Sequence, residues 1–231
     1  LNLTNVSGTG AGANVILSNW SCGDNLVVAH TAGAIAPVTK TVTYGTVASS
    51  ISGASECWIT QNLGADNQAS SATDSTEPSA GWYWQFNRQQ GYKHDGATLT
   101  PSLATTSIDE DSNWAAANDP CTIVLGTGWR LPTNTEWTNS DTNGAWTSYT
   151  QTYASALKLH AAGTVLSNSA LWSRGSRGYY WDSIQSGTTS GTNIYFDSGN
   201  SYMDVNSKAY ALNVRCLKDS LFSYQTSGNF T

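Results

Sequence analysis

Apolar and polar residues alternate over short stretches of this chain, and a spacing of two is typical of β-strands. Residues 38–47 (VTKTVTYGTV) predict a half-exposed strand, and residues 56–64 (ECWITQNLG) predict a core strand that ends at a glycine. In residues 81–92 (GWYWQFNRQQGY) three large aromatic residues recur at every second position, which predicts a strand with one well-buried face. The alternative for these aromatic residues is a platform on which sugar rings stack.

Residues 128–137 (GWRLPTNTEW) contain the signal for the start of a helix. Thr133 and Glu136 have the spacing of a capping box, in which each side chain accepts a hydrogen bond from the backbone N–H of the other residue. Pro132 stops the preceding strand from continuing into the helix. The expected elements are a strand at 129–131, a helix from about 134 to 141 with Trp137 in the core, a short helix at 114–118, a strand in 155–163, and loops at 65–80, 93–113 and 142–154.

The stretch 171–219 interleaves two kinds of residue without a helical period. Between framework-like residues lie aromatic, charged and aliphatic side chains that cannot all face a core. Tyrosine recurs among them, and its large amphipathic ring with few torsions suits recognition surfaces. We therefore expect a ligand-binding face carried on short strands and loops. The framework-like residues are Gly175, Gly178, Trp181, Phe196, Gly199 and the run 214–217.

Composition limits the class of protein and its partners. Only 11% of the 231 residues are charged, while Ser, Thr, Asn and Gly abound, as in extracellular or virion-surface β-rich proteins. A net charge of -6 without clustered Lys and Arg argues against a nucleic-acid partner. The chain has no apolar run of about 18 residues, so we expect no membrane span.

Four cysteines lie far apart and form no CxxC pair, so a metal site would need ligands gathered from across the fold. Two disulfides fit an oxidising location, and free thiols are the alternative in a reducing one. Of the possible connectivities we prefer Cys22 with Cys57 and Cys121 with Cys216.

A polar loop at 107–113 contains the acidic triplet Asp109, Glu110 and Asp111. Calcium prefers several oxygen ligands, so the triplet is a candidate calcium site. The spacing differs from that of an EF-hand loop, and a solvated acidic turn leading into a short helix is the alternative. We expect no other cofactor.

Several of these segments occur in an order that resembles a known family. ECWITQNLG, GWYWQFNRQQGY, GWRLPTNTEW, ALKLHAAG, RGSRGYYWDS and the closing NVRCLKD are similar to the Fibrobacter succinogenes major paralogous domain, which belongs to the C-type-lectin-like and formylglycine-generating-enzyme-like folds. The C-terminal part also resembles the variable region of proteins diversified by diversity-generating retroelements, in which error-prone copying at adenines rewrites selected codons. The resemblance covers about residues 20–219.

The resemblance implies an α+β protein with a C-type lectin fold, made of short twisted antiparallel sheets, about two short helices and extensive loops. The expected organisation is an N-terminal β-rich segment at 1–50 packed on the main domain, a C-type-lectin-like domain at 51–219 with its variable region at about 170–215, and a tail at 220–231.

Adenine mutagenesis of asparagine codons yields residues such as Tyr, Ser, Asp, Ile, Arg and Leu. The resemblance therefore implies a set of variable, ligand-binding positions in the C-terminal stretch, to which we add one tryptophan that this codon route cannot produce. Tyr195 and Leu212 alternate with Phe196 and Val214, so the opposite phase, in which Tyr195 and Leu212 are core residues, is the alternative. The expected positions are Trp172, Ser173, Arg177, Tyr179, Asp182, Ile184, Tyr195, Asp197, Tyr202, Asp204, Ser207, Tyr210 and Leu212.

The resemblance implies a binding module at a virion or cell surface, which recognises a protein or glycan on another cell or virus. Formylglycine-generating enzymes share the RLPT-x-x-EW element, but they hold copper with a late cysteine pair, and here Cys216 is the only cysteine after Cys121. The three histidines lie in no recognisable hydrolase motif, so we expect no enzyme activity. A structural surface domain without a diversified site is the second hypothesis, and a formylglycine-generating-enzyme-like oxidase is the third.

Overall fold

The computed structural model describes residues 20–219, and these residues form a mixed α+β fold dominated by largely antiparallel sheets. The strands are β1 Leu26–His30, β2 Lys40–Tyr44, β3 Thr46–Ser49, β4 Glu56–Ile59, β5 Tyr83–Gln85, β6 Gly91–His94, β7 Leu99–Thr100, β8 Trp129–Arg130, β9 Thr164–Val165, β10 Leu171–Trp172, β11 Gly178–Gln185, β12 Ser190–Phe196, β13 Ser201–Ser207, β14 Ala211–Asn213 and β15 Leu217–Asp219. The helices are α1 Glu77–Ala80, α2 Pro120–Leu125, α3 Asn134–Asn143 and α4 Tyr149–Ala154, with a 3₁₀ turn at Ala116–Asn118.

The largest sheet has nine strands and carries the C-terminal stretch at one end. Its order is β13-β12-β11-β14-β5-β6-β7, and β9 and β10 join it through β14. Neighbouring strands are antiparallel except β11 and β14, which run parallel. The seven-residue strand β13 therefore forms one edge of the sheet, and the two-residue strand β7 forms the other.

A four-stranded sheet of order β3-β4-β15-β8 joins the beginning and the end of the described chain. Strand β3 pairs with β4, and a disulfide links Cys22 to Cys57, so the segment 20–50 is tied to the rest of the fold. A second disulfide links Cys121 in α2 to Cys216. These are the two pairings preferred from the sequence. The first part of the expected N-terminal segment, residues 1–19, and the expected tail at 220–231 lie outside the described residues.

Helix α3 begins as predicted. The Thr133 hydroxyl accepts from the Glu136 N–H at 3.2 Å, and the Glu136 carboxylate accepts from the Thr133 N–H at 2.7 Å, which confirms the capping box. Trp137 is fully buried, as predicted, and its indole N–H donates to the carbonyl of Trp181 at 3.2 Å. The cap therefore fixes α3 against the centre of the large sheet.

The core lies on both faces of the large sheet. On one face Trp181 packs against Phe86 and Trp114, with ring centroids 5.3 Å and 6.5 Å away. On the other face Tyr180 and Phe196 stack, and they share a cluster of buried residues with Trp137 of α3. The middle strands are consequently covered on two sides.

Several expectations about local structure were wrong, among them the loops at 65–80 and 142–154, which contain α1 and α4. The sequence predicted about two helices, but four α-helices occur in the described residues, because α1, α2 and α4 are too short to show an apolar period. Strand β5 is buried on both faces, because Trp84 packs in one buried cluster and Tyr83 in another. Residues 155–163 form no strand: Leu157 and Leu159 are buried as expected, but Lys158 between them has a φ of 52°.

Within residues 20–219, no helix is both long enough and apolar enough to cross a membrane.

Candidate functional site

Strand register places three tyrosines side by side across the exposed end of the large sheet. Tyr179 on β11 lies opposite Tyr195 on β12, which lies opposite Tyr202 on β13. Their ring centroids are 5.1 Å and 4.9 Å apart, and Trp172 stacks on Tyr179 at 6.3 Å. We call these four residues the aromatic row. Cross-strand aromatic pairs of this kind stabilise a sheet, so the row is a rigid feature.

The row is exposed at its ends and buried in its middle. Trp172 and Tyr202 are 45% and 47% exposed, but Tyr179 and Tyr195 are only 3% and 7% exposed. The expectation that all these side chains face water was therefore wrong for the two inner tyrosines. Their rings are covered by their neighbours in the row and belong to the same buried cluster as Trp181. They support the outer rings more than they offer contact area themselves.

A cation lies at one end of the row. The guanidinium carbon of Arg177 is 4.8 Å from the ring centroid of Trp172, within the range of a cation–π contact. A tight turn holds this arginine in place, because the Ser173 carbonyl accepts from the Arg177 N–H at 3.0 Å. Ser173 has a φ of 58°, so this expected site residue shapes the turn. Gly175 in the same turn has a φ of 85°, which favours glycine.

A carboxylate lies beside one of the inner tyrosines. The Tyr195 hydroxyl donates to Asp197 at 2.6 Å, and the other oxygen of Asp197 accepts from the backbone of Gly199 and Asn200 at 2.9 Å each. The tyrosine and the Gly199 N–H lower the pKa of Asp197, while burial and the carboxylate raise the pKa of Tyr195. At neutral pH the site therefore presents a charged carboxylate beside a protonated phenol.

Polar side chains continue along β13 on the face that carries the row. Tyr202, Asp204 and Asn206 are spaced by two residues and so share one face. The Asn206 amide donates to Asn193 at 2.9 Å and to Asp204 at 3.2 Å. Asn206 was not among the expected site positions, although the same spacing of two counted from Tyr202 identifies it.

Asp182 and Leu212 were expected on the water-facing surface, but both are fully buried. Asp182 accepts from Thr192 at 2.6 Å and from the Ile184 N–H at 2.7 Å, and Asn134 of α3 donates to it at 3.2 Å. It therefore joins two strands and a helix, and burial raises its pKa to about 6. Leu212 lies on β14, whose residues are all buried, and Val214 is buried as well, so neither phase separates a buried face from an exposed one here.

The remaining expected residues lie apart from the row. Ile184 is near the far end of β11, in the stretch where the pairing with β12 shifts register, and Ser207 ends β13 opposite Ser190. Tyr210 is partly buried and packs against the core. The structure thus brings together seven of the expected positions, Trp172, Arg177, Tyr179, Tyr195, Asp197, Tyr202 and Asp204, which we call the edge site.

The acidic loop at 107–113 is bound to other parts of the protein. Glu110 accepts from Arg88 at 2.9 Å, and Asp111 accepts from Gln185 at 2.7 Å. The buried ammonium group of Lys208 donates to the Glu110 carbonyl at 2.6 Å and to Gln185 at 2.9 Å, so a positive charge already lies beside this loop. Calcium binding by the loop stays a prediction.

Elsewhere, Glu56, Glu136 and Asp219 bring carboxylate oxygens within 4.8 Å of one another. Arg130 lies among them and forms ion pairs of 2.6 Å with Glu136 and with Asp219. The arginine therefore offsets part of the negative charge of this cluster.

The four cysteines, all within the described residues, form two disulfides, so in this oxidised state no thiolate pair is free to hold copper. A cavity of about 340 Å³ lies beside the Cys22–Cys57 disulfide on the four-stranded sheet, and no residue of the edge site lines it.

No protein-family model matches this chain, and neither a curated protein nor a solved structure was found to be significantly similar to it.

Proposed function

We propose that this chain is a ligand-binding display protein with a C-type lectin fold, whose retroelement-diversified C-terminal surface recognises a protein or glycan target on another cell or virus. Its place is a virion or cell surface, as in a receptor-binding protein or an adhesin. The composition and the two disulfides are compatible with that location.

The edge site is the observation that carries this proposal. Two half-exposed aromatic rings, a guanidinium and two carboxylates are gathered at one end of the large sheet. Tyr202 and Asp204 lie on β13 and Trp172 lies on β10, while Arg177 and Asp197 lie directly beside β11 and β12. Exposed aromatic and arginine side chains on a rigid support are the residues that dominate binding energy in protein interfaces. Rigid support also lowers the entropic cost of binding.

The division between framework and edge site supports diversification. A β-carbon on Gly178 would lie 2.2 Å from the ring of Phe196, and Trp181 is fully buried, so both positions tolerate little change. Positions such as Arg177, Tyr202 and Asp204 are not buried and can vary without displacing the core.

A non-diversified structural domain is the second candidate, and the burial of Tyr179 and Tyr195 favours it. The genome distinguishes the two candidates. Our proposal predicts a nearby repeat that matches the codons for about residues 170–215 except at adenines, next to a reverse transcriptase gene. A complete locus with neither feature supports the structural domain.

Binding is tested with two display libraries of the whole chain. The first library varies Trp172, Arg177, Tyr202 and Asp204, and the control library varies four exposed positions of the β1–β2 hairpin, Val27, Ala29, Thr41 and Thr43. Both libraries are selected against the same panel of purified proteins and a glycan array. We expect specific binders from the first library at a frequency at least about tenfold higher; equal frequencies contradict the proposal.

A further inference from the structure

The edge of the large sheet formed by β13 is open. This strand has seven residues, none of them buried, and all seven pair with β12 without a register shift. The opposite edge strand, β7, has only two residues and is followed at once by Pro101. Short strands, proline, charged side chains (lysine above all) and bulges are the usual protections of a sheet edge. Strand β13 is long and has no proline, lysine or bulge, and Asp204 is its one charged residue.

The backbone groups of β13 that point outward can be identified. The N–H of Asp197 donates to the Asn200 carbonyl at 3.0 Å, and the N–H of Lys208 donates to the Thr189 carbonyl at 2.9 Å. Residues in an antiparallel pair bond to the partner at alternate positions, so Tyr202, Asp204 and Asn206 bond to β12. Ser201, Met203 and Val205 therefore direct their N–H and C=O groups away from the sheet.

These outward groups have no hydrogen-bond partner within residues 20–219. The side chains beside them are also exposed: Tyr202 is 47% and Val205 49% exposed, on opposite faces of the strand. The edge thus offers main-chain donors and acceptors with an exposed apolar side chain on each face.

We propose that the outer edge of β13 binds an extended segment of the target protein, which adds to the large sheet as a further strand. This inference rests on the proposed function and names the class of target. In strand addition, main-chain hydrogen bonds supply affinity and alternate side chains supply specificity. Backbone groups are unchanged by codon rewriting, so a diversified surface keeps a constant source of affinity.

The charges and apolar groups on β13 define the segment that fits. On the face that carries the aromatic row, the side chains of the bound segment lie beside Tyr202 and Asp204. The carboxylate of Asp204 and the ring of Tyr202 favour Lys or Arg in the segment there. On the other face they lie beside Met203 and Val205, which favours aliphatic residues. The matching sequence alternates basic and aliphatic residues.

The aromatic row favours a protein segment over a glycan. Sugar stacking requires free ring faces, but the inner tyrosines are buried and Arg177 lies over the ring of Trp172. Tyr202, which is the most exposed ring of the row, lies on the edge strand itself.

The test uses proline at an outward-facing position. Val205→Pro removes one outward N–H without breaking a hydrogen bond to β12, and Val205→Thr is the matched control that keeps the N–H and the β-branched shape. The probe is a library of random twelve-residue peptides selected on the immobilised wild-type chain. The affinity of each enriched peptide for the three proteins is then measured, and thermal melts show whether both variants are folded.

We expect enriched peptides with alternating basic and aliphatic residues, whose affinity falls about tenfold or more with Val205→Pro and less than about threefold with Val205→Thr. The strand addition is wrong if the enriched peptides bind both variants equally well, or if the selection enriches no peptide. Neither result contradicts the proposed display function. If the chain alone sediments as a dimer that Val205→Pro dissociates, a second copy occupies the edge, and the inference is also wrong. If Val205→Pro unfolds, Met203→Pro and Met203→Leu replace the pair.

Discussion

At the scale of single residues, burial separates positions that the sequence pattern grouped together. Asp182 and Tyr202 are both residue types that adenine mutagenesis yields, yet Asp182 is fully buried and Tyr202 is half exposed. The difference arises because α3 covers one face of β11, while β13 has no neighbour on its outer side within the described residues. Codon type identifies candidates for variation, and burial decides which of them can change.

Gly178 is the residue at which we expect the addition of a single methyl group to lower the stability of the protein most. The added methyl of Gly178→Ala would lie 2.2 Å from the fully buried ring of Phe196. We expect the free energy of unfolding to fall by about 1–3 kcal/mol, because a close-packed core cannot make room for it. The control is Gly199→Ala. Gly199 was expected to belong to the framework, but its added methyl meets nothing within 4 Å, so we expect a change below about 0.5 kcal/mol. Urea unfolding measures both, and equal losses would contradict the framework role of Gly178.

His160 makes stability depend on pH. It is fully buried, neither ring nitrogen has a hydrogen-bond partner among the described residues, and burial lowers its pKa to about 3. The unfolded chain binds a proton at this residue near pH 6.5. Between about pH 6.5 and 3 the unfolded state therefore binds more protons, and stability falls as the pH falls.

The expected effect of His160→Leu follows from that linkage. The loss of stability on going from about pH 7 to pH 4.5 should be smaller in the variant, by up to about 1.4 kcal/mol per pH unit below pH 6.5. Burial also lowers the pKa of His30 to about 4, so the stability of both proteins still falls to some extent as the pH falls. Urea unfolding at several pH values measures the difference, and parallel pH curves for the two proteins contradict a neutral buried His160.

At the scale of elements, α3 depends on its cap. Thr133→Ala removes the hydroxyl that accepts from the Glu136 N–H, and we expect the free energy of unfolding to fall by about 1 kcal/mol. Thr138→Ala, at an exposed position of the same helix, is the control with little expected change. Chemical denaturation distinguishes the two variants, and a larger loss at Thr138 would argue against the capping box as the start signal.

The elements that the sequence predicted correctly have local signals. The capping box fixed the start of α3. The spacing of two in residues 38–47 identified β2 and the start of β3, although the single strand predicted there is interrupted at Gly45 and its two parts belong to different sheets. The errors occurred where long-range packing decides. Strand β5 and the inner tyrosines are buried because side chains from segments distant in sequence pack on them, and no alternation within one segment reveals that.

At the scale of the whole molecule, two disulfides join distant segments. The Cys121–Cys216 bond closes 95 residues, and the Cys22–Cys57 bond closes 35. If a disulfide stabilises the protein by reducing the entropy of the unfolded chain, removing the Cys121–Cys216 bond should lower the free energy of unfolding by about 1 kcal/mol more than removing the Cys22–Cys57 bond. Melts of Cys121→Ala/Cys216→Ala and Cys22→Ala/Cys57→Ala test this order. A larger loss from the shorter loop shows that strain or local packing outweighs loop entropy.

The assembly of the edge site was only partly predictable. Its residues were found through their types, but their grouping depends on the register of β11, β12 and β13, which places residues 179, 195 and 202 in one line. The same register separates Ile184 and Ser207 from the row. Register is a property of three strands together, so the sequence indicated the members of the site without their arrangement.

The most direct test of the central claim, that a rigid framework carries changeable side chains at the sheet edge, is a saturation scan of residues 170–215 scored for folding by protease resistance. We predict broad tolerance at Trp172, Arg177, Tyr202 and Asp204, and narrow tolerance at buried positions such as Trp181. Tolerance at Tyr202 as narrow as at Trp181, or buried positions as permissive as the edge site, would contradict the account.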